Sequence, residues 1–564
     1  MRSGFQIRQR QIWFLGFTAV FAALAGFVFW GAWSMDFAPV MPDSPIIYSP
    51  EHLANWCREC WQSGHFIPSD LHRVLGSPYF WQELNYAIPM YVSGLALAYF
   101  LRGRGLSYLA SYVAGLFLGF SGYWCTLFSA GHGGWFFWMT YGIWPFGLLD
   151  RAVRKGKIKN WLLLGATVGW AAYWQTDLWL LFMVLTGSYF IYRCVAEHKF
   201  PWKGMLIAAI SMFLIGGAAF RSALVNDLAG RNKQIEEGQT ISEKDKATVG
   251  EREKRWIFVT NWSLPPAESA EFFIPRLNGD TSCPMTLSLG ARYGTGVKQY
   301  TGALGRPKDA PAGNYRQHSL YVGLVTCLLA LVGVVFAFVN AASSPRLKED
   351  DSNLASDAAR RRVYDVVFFL IAAILCWIFS MGRYCEPVYR VIFSLPFGDY
   401  LRAPVKWHHL TEFFLCVLAG YGVEGLLGRL GRLGPLGRFA PWILGAVVLI
   451  GAIDLARVDH LYCAPVDLRE AKRQNCNMQM TFLRKADFNN PQVAAMVQQK
   501  KIIALAQPNP EMYLVGILQP WGKNTKPLPP ISTTAWLNVL SILGTLGLVG
   551  YGVKKALGNR LTER

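Results

Sequence analysis

Charge is scarce in this chain. Asp, Glu, Lys and Arg make up 16% of its 564 residues, whereas 52% are hydrophobic. A soluble domain would bury one core and would not need a series of separated apolar runs of roughly 20 residues. Acids are scarcer still. There are 36 Asp and Glu against 55 Lys and Arg, a formal charge of +19. In a membrane protein that excess marks cytoplasmic loops, so it excludes nucleic acid as the partner. No small-x-small cleavage box precedes a soluble domain. The run from Trp13 to Trp33, which follows Arg2, Arg8 and Arg10, therefore reads as a retained first span. No internal repeat and no charged path across the span centres is visible, which argues against a transporter. A second CxxC is also missing. Cys57-Arg58-Glu59-Cys60 alone is weak evidence for zinc or redox chemistry, and its leading reading is a structural disulfide between Cys57 and Cys60.

What the chain does have is apolar runs. They predict an all-α polytopic membrane protein with about twelve spans, near 13–33, 86–101, 107–128, 133–149, 161–175, 177–193, 203–221, 317–339, 363–381, 405–425, 438–455 and 533–552. Basic clusters alternate between these runs. Placing the N-terminus in the cytoplasm puts Arg102 and Arg104, Arg151 to Lys159, Arg193 to Lys203, Arg360 to Arg362, Arg429 to Arg438 and Lys554 to Arg564 inside. Both termini are then cytoplasmic. The larger external loops are 34–85, 222–316, 382–404 and 456–532. In domain terms, 1–460 is a transmembrane domain, 461–532 a small external segment, and 533–564 a last span with a basic tail.

This orientation gathers polar residues on the external side: Asp36, Asp43, His132, Asp177, Asp399, Arg402, Lys406 and His408. Asp36 lies just past the first span. It can act as a general base on a hydroxyl held at the membrane boundary, or serve as an interfacial cap, with Asp43 in reserve. Trp174-Gln175-Thr176-Asp177 and Gly131-His132-Gly133-Gly134 read first as turns. An ionisable group at membrane depth is also a functional candidate. Arg402 and Lys406 are four residues apart. They share a helical face if a helix begins by residue 402, and Pro404 suits its first turn. That geometry would support a shared role, the alternative being snorkelling to lipid headgroups. Two loop acids leave open a divalent metal and do not establish one.

The segment after Phe379 is more specific. Gly382-Arg383-Tyr384, Leu395-Pro396, Arg402-Ala403-Pro404 and Ala419-Gly420-Tyr421-Gly422 follow one another in order. Upstream stand Asn261-Trp262-Ser263-Leu264, Pro266 to Glu268, Phe273 to Gly279 and Ser319-Leu320-Tyr321-Val322-Gly323. This pattern resembles the YfhO-like bacterial membrane proteins, in order and spacing over roughly residues 10–460. The resemblance is specific at 261–279 and 379–422 and loose elsewhere. That family is similar to the fold-C (GT-C) membrane glycosyltransferases.

The resemblance implies a GT-C-like helical bundle in the bacterial inner membrane, with external loops carrying short helices. It implies a polyprenyl-phosphate sugar as donor and inverting transfer to an envelope glycan, lipid or protein. Asp36 or Asp43 would be the catalytic acid in the first external loop. Arg402 and Lys406 would face the phosphate, and Asp177, His132, Arg383, Asp399 and His408 would orient substrate. The departure is at 456–532, shorter than the family's usual C-terminal extracellular domain. The rival expectation is a non-catalytic GT-C-like subunit of a membrane complex, with lipid and protein partners only.

Overall fold

A computed structural model describes residues 2–31, 37–39, 45–46, 81–124, 133–174, 176–236, 249–278, 319–343, 354–396, 398–432, 434–463, 465–474, 476–509, 512–520 and 535–561. Asp36, Asp43, Cys57, Cys60 and His132 lie outside them. The helices in chain order are α1 (Arg2–Val28), α2 (Trp81–Gly103), α3 (Tyr108–Gly119), α4 (Gly133–Gly142), α5 (Trp144–Lys155), α6 (Ile158–Ala171), α7 (Thr176–Ala196), α8 (Trp202–Ser222), α9 (Leu228–Glu236), α10 (Glu251–Thr260), α11 (Leu324–Ser343), α12 (Leu354–Ser380), α13 (Glu386–Ser394), α14 (His408–Leu430), α15 (Ala440–Tyr462), α16 (Arg469–Arg473), α17 (Pro491–Gln498) and α18 (Ala535–Leu561). The strands are β1 (Phe37–Pro39), β2 (Pro45–Ile46), β3 (Pro465–Asp467), β4 (Cys476–Arg484), β5 (Ile502–Asn509) and β6 (Met512–Pro520).

Among the described residues, six helical stretches are long and apolar enough to cross a membrane: Gln9–Val28, Asp177–Ala196, Trp202–Val225, Arg360–Ser380, Pro404–Leu430 and Gly437–Tyr462. Leu324–Val339 and Trp536–Tyr551 are shorter apolar stretches at two further expected positions. The expectation of about twelve spans is thus met only in part. Three of the missing spans fall where helices stop early. α3 has 12 residues and ends at the non-helical Phe120. The run at 133–149 divides into α4 and α5. Pro145 opens α5, and its ring cannot continue a preceding helix. α6 has 14 residues, about 21 Å, against roughly 30 Å of hydrocarbon.

The chain forms two compact units, each gathered from separated segments. The first comprises Met1–Gly31, Ala87–His132 and Gly238–Pro465. Its most buried membrane-length helix is α14, packed by α3, α11 and α12. The approach to α11 is backbone on backbone. A Cβ on Gly333 would lie 2.4 Å from the Leu418 carbonyl oxygen, and one on Gly422 would lie 1.9 Å from that of Leu329. Small residues permit this contact between apolar helices, where dispersion and not water release supplies the attraction. A buried charge pair adds orientation. Arg104 beyond α2 meets Asp365 of α12 at 2.5 Å, and the Tyr421 hydroxyl of α14 donates to the same carboxylate at 3.0 Å.

The second unit comprises Ala32–Tyr86, Gly133–Glu237 and Val466–Arg564. Gly169 and Gly216 bring α6 against α8; a Cβ on Gly169 would sit 2.7 Å from the Met212 carbonyl oxygen. Arg193 of α7 is buried against Asp150 of α5 at 3.1 Å. Residues 476–520 make a feature that the all-α expectation lacked. It is an antiparallel sheet in the order β2-β4-β6-β5. Met480 pairs with Gly516 and Thr481 with Val515. Met478 and Met480 are buried on one face, two residues apart as a pleated strand requires.

Candidate functional site

The first unit holds the segments 259–264, 380–385 and 402–409 together, and they interlock. The Ala403 amide donates to the Val259 carbonyl at 3.1 Å, and the Val405 amide to that of Trp262 at 3.1 Å. The Leu264 amide donates to the Ser380 carbonyl at 2.9 Å. The Arg383 amide donates to Ser263 Oγ at 3.0 Å, and its Nε to the Thr260 carbonyl at 3.1 Å. The Asn261-Trp262-Ser263-Leu264 stretch, Gly382-Arg383 and the Arg402-Ala403-Pro404 box are therefore one structure in space.

The interlock holds residues in costly backbone shapes. Trp262 and Ala403 carry positive φ values of 63° and 62°. Such left-handed non-glycine residues cost on the order of 1–3 kcal/mol each and gather at functional sites. Gly382 at φ 48° is the crowded member: a Cβ there would lie 2.1 Å from Ser263 Oγ and 2.5 Å from Pro404 Cγ. Only glycine fits this position without displacement.

Ala403 also corrects the expected geometry of Arg402 and Lys406. Its left-handed backbone separates Arg402 from the helical turn Pro404–Trp407, and α14 starts at His408. The two basic residues therefore do not share a helical face. Pro404 does open the first turn, where its missing N–H costs nothing. The Arg402 guanidinium lies 4.8 Å over the Phe258 ring, and Lys406 is buried. Arg383 is half-buried, and the loss of hydration lowers its pKa from the usual arginine value.

His408 is fully buried and is a core residue of the α14 N-terminus. Its ring stacks on Phe272 at 4.3 Å and meets Tyr123 at 4.9 Å. His408 Nε2 stands 3.2 Å from the Leu320 carbonyl oxygen and 3.8 Å from Glu412 Oε1. The same Glu412 oxygen accepts from the Tyr123 amide at 3.3 Å. His409 sits against Tyr123 and Trp124 at 4.4 and 4.0 Å. Glu412 and His409 carried no role in the sequence reading. The sequence signal was present: a His-His-x-x-Glu run inside an apolar span, where ionisable groups are expensive.

Asp399 lies one turn earlier, at Gly398–Tyr400, and its Oδ2 accepts from Arg255 of α10 at 3.2 Å. Arg390 of α13 lies 3.8 Å over the Trp256 ring. Asp177 belongs to the second unit. It is buried in the first turn of α7, where its Oδ1 accepts from the Leu178 amide at 2.9 Å. Cys385, Cys463 and Cys476 carry free thiols. Among the described residues no three His, Cys, Asp or Glu side chains converge on a metal position.

Beside the interlock, a groove of about 380 Å³ runs between α11, α12 and α14. Leu331, Val334, Leu370, Ile374, Leu415 and Leu418 make it almost wholly apolar. Its polar groups are satisfied internally: Trp377 Nε1 donates to Ser269 Oγ at 2.9 Å, and Thr411 Oγ1 to the Trp407 carbonyl at 3.4 Å. Phe272 joins this groove to the His408 cluster.

No family profile and no curated protein matches the chain. It is similar to the crystal structure of ArnT from Cupriavidus metallidurans bound to undecaprenyl phosphate, at 13% identity and a TM-score of 0.26, over 89% of this chain and 98% of that one.

Proposed function

We propose that this protein is a multi-pass membrane glycosyltransferase of the GT-C type that takes its sugar from a polyprenyl-phosphate carrier. The observation that carries the reading is the interlock. Arg383 and Arg402 sit on a strained, backbone-bonded knot at one end of apolar helices, next to a groove fit for hydrocarbon. A guanidinium offers a phosphate two parallel donors, and a fixed one needs no reorganisation as charge builds on the leaving group. In this reading Arg402 and Lys406 stabilise the departing phosphate on the external face. Asp36, with Asp43 as the substitute, removes the acceptor proton. The oxygen attacks the anomeric carbon as the carrier phosphate leaves, which inverts that centre.

Membranes containing the chain and a labelled polyprenyl-phosphate sugar test this. Transfer should be lost in Asp36→Asn or Asp43→Asn and should fall at least tenfold in Arg402→Ala, with folding retained. Absence of transfer by the unaltered chain across several donors would overturn the reading. A second reading would then stand, a non-catalytic membrane subunit. It is favoured by one observation: Arg383 already spends its Nε donor on the Thr260 carbonyl.

A further inference from the structure

A cleft of about 530 Å³ opens on the first unit, between α10, α13 and the turn at Asp399. Arg252, Arg255 and Asp399 line it together with the apolar Phe393, Leu395 and Pro396. Nothing in the transferase reading uses Arg252 or this apolar wall. We propose that the cleft binds the headgroup of an anionic, hydroxyl-bearing membrane lipid.

Three observations define that occupant. The first is charge. Arg255 is committed to Asp399 Oδ2 at 3.2 Å, whereas Arg252 is exposed and makes no ion pair among the described residues. The cleft thus offers a guanidinium able to take a phosphate through two parallel donors. The second is the acceptor. Among the described residues Asp399 Oδ1 receives no hydrogen bond, so the lining of the cleft includes a carboxylate oxygen with no donor, beside the cations. A bare phosphate would be repelled there; a hydroxyl would donate to it. The third is the entrance. α13 buries Tyr389, Ile392 and Phe393, yet its opposite face, Val391 with Leu395 just beyond the helix, is more than half exposed. Beside that strip stand the exposed Glu386 and the partly exposed Arg390, so the outer side of α13 pairs an apolar stripe with a charged edge, as a helix lying in the membrane interface does. Leu395 belongs to that outer strip and to the cleft wall, so a ligand entering there arrives from the bilayer with its first carbons along Leu395.

The volume of about 530 Å³ is within the range of small-ligand sites, and its two guanidinium groups and carboxylate suit a headgroup. Naming this lipid the sugar acceptor rests on the transferase reading; its binding does not.

The test is equilibrium binding to the full-length chain in nanodiscs of phosphatidylcholine, with no sugar donor present. Dihexanoyl phosphatidylglycerol is the lipid probe, dihexanoyl phosphatidic acid lacks the hydroxyl, and glycerol phosphate lacks the tails. Phosphatidylglycerol should bind at least tenfold more tightly than phosphatidic acid and glycerol phosphate. Arg252→Ala should weaken it tenfold or more, with part recovered by Arg252→Lys. Asp399→Asn should erase the preference over phosphatidic acid. Leu395→Ser should weaken the lipid and leave glycerol phosphate unchanged. Equal binding of glycerol phosphate and the lipid would overturn the membrane source, and unchanged binding in Arg252→Ala would overturn the site. Because transfer is never measured, failure here is distinct from failure of the transferase reading.

Discussion

At the scale of single residues, the knot of 259–264, 380–385 and 402–409 depends on Gly382. Its φ of 48° and the 2.1 Å approach of Ser263 Oγ leave no room for a methyl group. Gly382→Ala adds left-handed strain, pushes Ser263 away, and weakens the bond that Ser263 accepts from the Arg383 amide. The expected cost is about 3 kcal/mol. Gly105→Ala is the control. Its φ is 88°, but nothing lies within 4 Å of the added methyl, so only the strain of about 1 kcal/mol remains. Thermal unfolding in detergent should separate the two variants clearly, and equal shifts would mean that the knot yields. The motif order from Gly382 to Pro404 was legible in the sequence. The interlock was not, because its bonds join residues more than a hundred positions apart. The burial of His408 was also illegible, since Phe272, Leu320 and Tyr123 reach it from three distant segments.

At the scale of elements, apolar run length was a good guide where a helix stands alone and a poor one where a run contains its own break. The run at 438–455 became one helix, whereas Pro145 divided 133–149 in two. The sheet at 476–520 escaped notice because its strands are mixed in polarity. The alternation of Met478 and Met480 with Asn477, Gln479 and Thr481 marks β4 once pairing with β6 is known. Charge between helices gives an element-scale prediction. Arg193 and Asp150 are both buried, and Arg193 also meets Glu197 at 2.6 Å. Arg193→Ala removes the counter-ion that Asp150 and Glu197 share and leaves the fully buried Asp150 only the partly exposed Arg154, at 3.0 Å. The loss should be roughly 3 kcal/mol, the low end for breaking a buried pair, whereas the double change Asp150→Leu with Arg193→Met should cost far less. Unfolding of both variants in the same detergent decides it; equal losses would show that packing and not charge holds α5 to α7.

At the scale of the whole molecule, the transferase reading requires the knot to face away from the cytoplasm. The basic clusters argue for that orientation, because Lys and Arg in short loops are retained on the cytoplasmic side. Exposed positions allow a direct test: Lys155 at the end of α5, Arg432 beyond α14, Glu251 at the start of α10 and Lys485 after β4. Single cysteines are placed at each in a chain stripped of its 11 native cysteines. In intact cells a membrane-impermeant maleimide should label Glu251→Cys and Lys485→Cys. It should label Lys155→Cys and Arg432→Cys only after permeabilisation. The reverse pattern would put Arg402 and the cleft at Arg252 on the cytoplasmic side, and external transfer would be excluded whatever the chemistry of the knot. Labelling of all four in intact cells would mean that the helices on either side of these positions do not cross the bilayer as pairs. The four positions sample both units, so the result fixes the orientation of each from its own residues.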